Sequence, residues 1–295
     1  MQYDIVMMGH ISKDIIIDET GNESKLYGGA LLYSSIAAAR AGAHVLAITK
    51  AAPEDFCALD IAKEQNGIEI IAIQSPKTTS IRNVFLSADH ERRETSLLSR
   101  AEPFLAADIP SNAETKIIDL AGLFVGELPD NLIEELAPRG AIAVDAQGLL
   151  REAQPDGRML FRDWRNKHHY MPFVSYFKAD AAEAEILTGL ADREEAAREI
   201  AAWGKHPDGH EPEVMITYNT EVIVLVDGRI YRAPYKPSNL SGRTGRGDTT
   251  FAAYLAWRLG HDPQESVRFA AALCSIKMER PGPFSGTLED VFARM

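Results

Sequence analysis

The segment 241-SGRTGRGDTTFAAYLAW-257 decides how the chain is read. Three glycines, Gly242, Gly245 and Gly247, crowd a loop that runs straight into a helical pattern opened by Asp248, Thr249 and Thr250. Glycine lets a backbone approach a bulky anion and adopt conformations other residues resist. The free N–H groups at a helix start, together with its dipole, favour phosphate oxygens there. An acid in that first turn makes chemical sense if it accepts a proton from an attacking hydroxyl, since phosphoryl transfer combines positioning, charge stabilisation and a base. The same residues also suit an ordinary N-cap, with Asp248 or Thr249 satisfying orphan N–H groups. The tripeptide Arg246-Gly247-Asp248 matches the integrin-binding sequence, a coincidence in a chain without a visible secretion signal.

Outward from this turn, the chain alternates short apolar runs with helical stretches. Tyr3–Met8 ends at Gly9. LLYSSIAAARAG (31–42) is helical in composition, HVLAITK (44–50) is a strand, DFCALDIAKEQNG (55–67) a helix and IEIIAI (68–73) a strand. Strands follow within 116–126, 141–146, 176–180 and 213–218, with helices at 130–137, 181–189 and 193–204. Such alternation predicts a doubly wound, mostly parallel sheet flanked by helices. EVIVLVDGRIYRA (221–233) reads as a hairpin on its Asp227-Gly228 turn. Helices 248–260 and 263–278 close the chain, and 154–172 carries no clear pattern. Two stretches break the scheme: 11–20 is β-rich, and 80–99 holds two β-like runs around a charged turn that includes Arg92-Arg93. They predict a small β-rich lid, formed by about 11–27 and 77–100, on a single domain spanning 1–295.

The 295 residues are 45% hydrophobic and 25% charged, an ordinary globular composition. Lys and Arg number 31 against 43 Asp and Glu, a net charge of −12 that opposes nucleic acid and anionic membrane partners. Cys57 and Cys274 lie outside any CxxC or His-rich context, so they are expected as buried thiols and not as zinc ligands. No basic leader and no long apolar run is present, so a cytoplasmic protein is expected. The eight histidines show no metal-ligand spacing.

GRTGRGDT (242–249) resembles the signature of the ribokinase family of carbohydrate kinases (the PfkB family), written D-T-x-G-A-G-D. Other segments match that family in order. Gly9–Asp14 is similar to its G-x-x-x-x-D, whose acid holds substrate hydroxyls, and Gly28-Gly29 to its glycine pair near the sugar. KADAAEAEILTG (178–189) resembles its N-x-x-E-A-E-x-L-T-G block near metal and phosphates, and 260–283 its C-terminal helix beside the nucleotide. DAQG (145–148), GRTGRGDT and KMERPGP (277–283) together resemble the inositol kinase branch.

The resemblance implies a ribokinase-like fold and an ATP-dependent kinase that phosphorylates a hydroxyl of a sugar or polyol, with myo-inositol as the candidate substrate. Asp248 becomes the catalytic base, and Gly245, Arg246 and Gly247 the anion hole. Asp14, Gly28, Gly29, Asp145 and Gln147 bind substrate. Thr217, Asn219 and Thr244 line the ATP groove. Glu183 and Asp180 stand near a magnesium ion through water, the ion itself being held mainly by ATP. Each has a plain counter-reading: Asp14 and Asp145 can close turns, Glu183 can complement a helix dipole, and Arg246 can point to solvent. The chain departs from the family where Gly242 replaces an Asp, which argues against a family-type potassium site. Arg246 replaces an Ala, Asp180 an Asn, and Asn219 a frequent Gly. A homodimer paired through lid strands, a nucleoside kinase using Tyr27, Tyr33 or Phe85 as a base platform, and a catalytically silent sensor are the remaining readings.

Overall fold

Seven parallel strands form the spine of the molecule, and their sequences explain why. Ile5, Val6, Met7 and Met8 are all fully buried, so the strand Gln2–Met8 is covered on both faces. Alternate residues feed two separate cores: Val6, Met8, Ile118, Leu120 and Val144 on one side, Ile5, Met7, Ile117, Ala143 and Met215 on the other. The computed structural model describes residues 1–85, 93–205 and 209–295. The hairpin tip carrying Arg92 lies outside them, as does the side chain of Arg93.

Across the nine-stranded sheet the order is Ile68–Gln74, Val45–Ala51, Gln2–Met8, Glu114–Leu120, Ala141–Asp145, Val174–Asp180, Glu213–Thr217, Glu221–Val226, Arg229–Pro234. The last two strands are antiparallel, joined at Asp227-Gly228 with φ of 47° and 75°, the paired positive values of the predicted tight hairpin. Strand order reverses between Gln2–Met8 and Glu114–Leu120, so the carboxyl ends of the parallel strands frame a crevice of the kind that binds ligands in such sheets. Helices Ala30–Arg40, Arg246–Arg258 and Pro263–Met278 supply residues to the second core, while Asn131–Leu136, Ala181–Thr188 and Arg193–Trp203 supply the first. The doubly wound expectation holds, and the fold is ribokinase-like.

A second sheet of four strands, ordered Glu23–Gly28, Ser12–Ile17, Ser80–Phe85, Arg93–Ser99, stands apart from the first. Its outer two pairings are antiparallel and its central one parallel. Its base is tied to the segments that follow the main-sheet strands through polar contacts, some fully buried and some partly so. Glu127 accepts from the His10 amide at 2.7 Å, the His10 ring contacts the Thr79 hydroxyl at 2.9 Å, and Lys13 and Tyr27 both donate to Asp55, at 2.9 and 2.6 Å.

Several local expectations change. Residues 55–67 are not one helix: Pro53 starts a 3-10 segment, Pro53–Leu59, followed by the short helix Asp60–Lys63. Cys57 is exposed there, and only Cys274 is buried. The unassigned 154–172 stretch holds the strand Met159–Phe161, paired with Arg151–Ala153, and the short helix Lys167–Tyr170. A further helix, Leu288–Arg294, closes the chain. Among the described residues no helix is long and apolar enough to cross a membrane.

Candidate active site

The glycine turn sits where the sheet's carboxyl edge meets helix Arg246–Arg258. Gly245 caps that helix in the left-handed region, φ 78°, and a Cβ there would fall 2.4 Å from the Tyr33 ring, so geometry and space both demand glycine. Asp248 occupies the helix's first turn, where its carboxyl also contacts its own backbone N–H. A helix-start role and a catalytic role are therefore compatible for this acid. Burial pushes its carboxyl up to about 6, with Asp145 adding to the rise and Lys178 and Lys277 opposing it.

Under the turn lies a residue that the sequence reading passed over. Lys178 is buried on strand Val174–Asp180, directly beside Asp145 on the neighbouring strand. Its ammonium donates to both Asp145 oxygens, at 3.0 and 2.9 Å, and lies 3.8 Å from Glu183. Burial alone would lower this lysine, but the carboxylates of Asp145 and Glu183 overcome it and hold the charge. A Cβ on Gly247 would come within 2.9 Å of the Lys178 nitrogen, so the ammonium abuts the backbone of the anion turn. Its only signal in the sequence is a lone cation in the apolar run VSYFKAD.

Asp145 is thus an ion-pair partner, and its carboxylate also accepts from the Gln147 amide at 3.0 Å. Gln147 opens the short helix Gln147–Leu150 beside it. Asp119, unremarked in the sequence, shares this face of the sheet two positions back on the adjoining strand. It is fully enclosed, one of its oxygens lacks a hydrogen-bond partner, and burial reinforced by Asp145 and Asp248 raises its carboxyl well above the usual range.

Asp180 and Glu183 form a reciprocal capping box at helix Ala181–Thr188: the Glu183 amide donates to Asp180 at 2.8 Å, and the Asp180 amide to Glu183 at 2.7 Å. Burial pushes the Glu183 carboxyl up to about 8, with Lys178 opposing the rise. Among the described residues no group of three His, Cys, Asp or Glu is arranged to hold a metal ion. These two acids tie down the helix start.

On the far side of the crevice, Asp14 lies on strand Ser12–Ile17 opposite Leu26. It is two residues along the ladder from the Ser12–Gly28 pair, and a Cβ on Gly28 would fall 3.3 Å from an Asp14 oxygen. Gly29 caps helix Ala30–Arg40 with φ 107°, pressed against the His10 carbonyl. Tyr33, proposed above as a lid platform, belongs to this helix instead. Burial raises its phenol to about 12, and both Asp248 and Asp14 add to that rise, which puts its hydroxyl end within reach of both acids' fields. Tyr27 and Phe85 do lie on lid strands.

Thr217 is buried at the end of its strand, while Asn219 and Thr244 are exposed. The Asn219 carbonyl oxygen gathers two guanidinium groups, accepting from Arg246 at 2.8 Å and Arg243 at 3.3 Å. Arg246 therefore does not simply point to solvent, and Asn219 has a role that the glycine it replaces could not fill.

Geometry of this kind invites comparison with known proteins, and the pfkB family carbohydrate kinase profile matches residues 2–290. The chain belongs to that family. It is 34% identical to a pyrophosphate-dependent kinase in the ribokinase family, solved with a pyrophosphate analog and myo-inositol; the match covers 98% of this chain and 99% of that one, with a TM-score of 0.87. A sulfate-complex structure of a pyrophosphate-dependent kinase in the same family is also 34% identical, covering 99% and 100%, with a TM-score of 0.88. A cytidine kinase of Thermococcus kodakarensis is 26% identical over 300 residues, 97% of this chain and 99% of its own length. The PfkB resemblance and the ribokinase-like fold are thereby established. At the coarser level, so is kinase chemistry on a sugar- or nucleoside-type substrate.

Proposed function

We propose that the protein transfers a phosphoryl group to a hydroxyl of a cyclic polyol, myo-inositol first among candidates, with Asp248 as general base and pyrophosphate as donor. The observation that carries the reading is the single turn 245–248. It presents helix-start N–H groups, a charged lysine beneath them and a first-turn carboxyl that burial pushes up to about 6. The substrate hydroxyl attacks the near phosphorus of the donor, its proton passes to Asp248, and the bridging P–O bond breaks to release phosphate. Backbone N–H groups of Gly245 and Gly247, backed by Lys178, hold the transferring group, while the Arg246 N–H donates to the Arg243 carbonyl at 3.2 Å. Asp14 and the Gly28-Gly29 turn orient the polyol between lid and sheet. Magnesium, when bound with the donor, neutralises part of the phosphate charge.

The donor choice is supported by the space around Asn219. Arg243 and Arg246 concentrate two cations where bidentate donors suit phosphate oxygens. The loop leading to them is stitched to the end of helix Pro263–Met278. The Lys236 amide donates to Ser275 at 2.9 Å, the Ser238 amide to Glu279 at 2.8 Å, and the Gly242 amide to the Met278 carbonyl at 2.8 Å. The likeness to pyrophosphate-dependent kinases points the same way.

Mass spectrometry of reactions combining pyrophosphate or ATP with myo-inositol, other polyols, ribose or cytidine tests all parts. A myo-inositol phosphate formed with pyrophosphate, and absent with Asp248→Ala, is the expected result. Product only with ATP restores the nucleotide donor. Product only from cytidine overturns the substrate. Donor binding without product under any condition favours a sensor.

A further inference from the structure

Behind the same turn sits a second buried lysine, Lys277, on the last turn of helix Pro263–Met278 and 2% exposed. Its ammonium donates to the Gly242 carbonyl at 2.5 Å and to the Thr244 carbonyl, and stands 5.0 Å from the centre of the Tyr33 ring. Two main-chain carbonyls of one loop turned inward onto a single positive charge form the arrangement by which backbone oxygens replace the hydration shell of potassium. Here the charge is supplied by a side chain with three donors. Position 242 cannot contribute a carboxylate, because a Cβ on Gly242 would fall 1.8 Å from the Arg280 carbonyl oxygen.

Resting on the reading of 245–248 as the phosphate-binding turn, we propose that the Lys277 ammonium is an internal substitute for a monovalent cation, holding the 242–244 carbonyls so that the next N–H groups face the donor. The protein's phosphotransfer is accordingly independent of monovalent salts. Lys277 is a positioning residue, since it acts through the loop and does not touch the reacting atoms. Burial lowers its ammonium to about 8, while Cys274 and Asp248 oppose the fall, so it stays charged at neutral pH.

Two variants separate this role from a merely structural one. Lys277→Ala leaves a hole lined by carbonyls, whereas Lys277→Met fills the space without charge. At constant ionic strength, wild-type turnover should differ by no more than about twofold between potassium and tetramethylammonium chloride. Lys277→Ala should lose about tenfold or more in tetramethylammonium, the scale of an unsatisfied buried carbonyl, and recover in potassium or ammonium. Lys277→Met should lose as much without recovery. Independently of any activity, the melting midpoint of Lys277→Ala should rise with potassium and not with tetramethylammonium, by linkage to a newly bound ion, while the wild type shows no difference. Strong potassium activation of the wild type overturns the proposal. So does an alanine variant whose melting is blind to the cation. The melting arm stays decisive if no donor in the panel supports turnover, so failure of the kinase reading is seen separately.

Discussion

Lys178 and Lys277 are both buried under one turn and both face Asp248, yet they titrate in opposite directions. Lys178 is paired with Asp145 and lies near Glu183, and its ammonium is held charged beyond the ordinary range for lysine. Lys277 donates to two carbonyl dipoles and lies over an aromatic face, with Asp248 acting only at longer range, and burial lowers it to about 8. Burial penalises both; a full negative charge offsets the penalty and a dipole does not. One lysine is therefore a permanent charge under the turn, and the other is a charge that neutral pH keeps and alkaline pH removes.

The contrast has a hierarchy of consequences. Both lysines act on phosphate and base, so losing the base itself should be the largest effect. Asp248→Ala is expected to lower turnover by about 10²–10⁴ with the fold intact, read by steady-state kinetics beside circular dichroism. Next comes Lys178→Met, which strands two buried acids. Denaturant unfolding should show a loss of about 3–5 kcal/mol, much of it recovered when Asp145→Asn is added. Equal costs for the single and double variants would break the ion-pair account. Lys277→Met leaves only carbonyls unsatisfied and should cost less, about 1–3 kcal/mol by the same measurement.

The subtlest effect is on the pH profile. The Asp248 base works when ionised, so activity should fall as pH drops through about 6. Lys277 works when protonated, so activity should fall again as pH rises through about 8. Lys277→Ala in saturating potassium should keep the acid limb and lose the alkaline one, because a metal cation has no proton to give up. Survival of the alkaline limb in that variant would assign it to another group.

Much of this site was legible because its chemistry is local. Gly245, Gly247 and Asp248 lie within four residues, and the left-handed cap and first-turn acid follow from that short string. The Asp227-Gly228 turn was legible for the same reason. Residues 55–67 misled because helical composition hid the effect of Pro53, which opens a 3-10 segment instead. Glu183 was only partly legible: its spacing from Asp180 fits a capping box as well as a metal-proximal block, and the reciprocal bonds show the capping box.

The sequence by itself determined the alternating strands and helices, the two β-rich insertions and the turn that carries Asp248, because periodicity and backbone permissiveness are properties of neighbouring residues. Tertiary structure alone decided which charges meet beneath that turn. Lys178 comes from a strand, Lys277 from a distant helix and Tyr33 from the first helix, and their proximity depends on how the sheet and its helices pack. Charge states followed from that packing too, since burial and the nearest opposite charge set them and neither can be read from residue order.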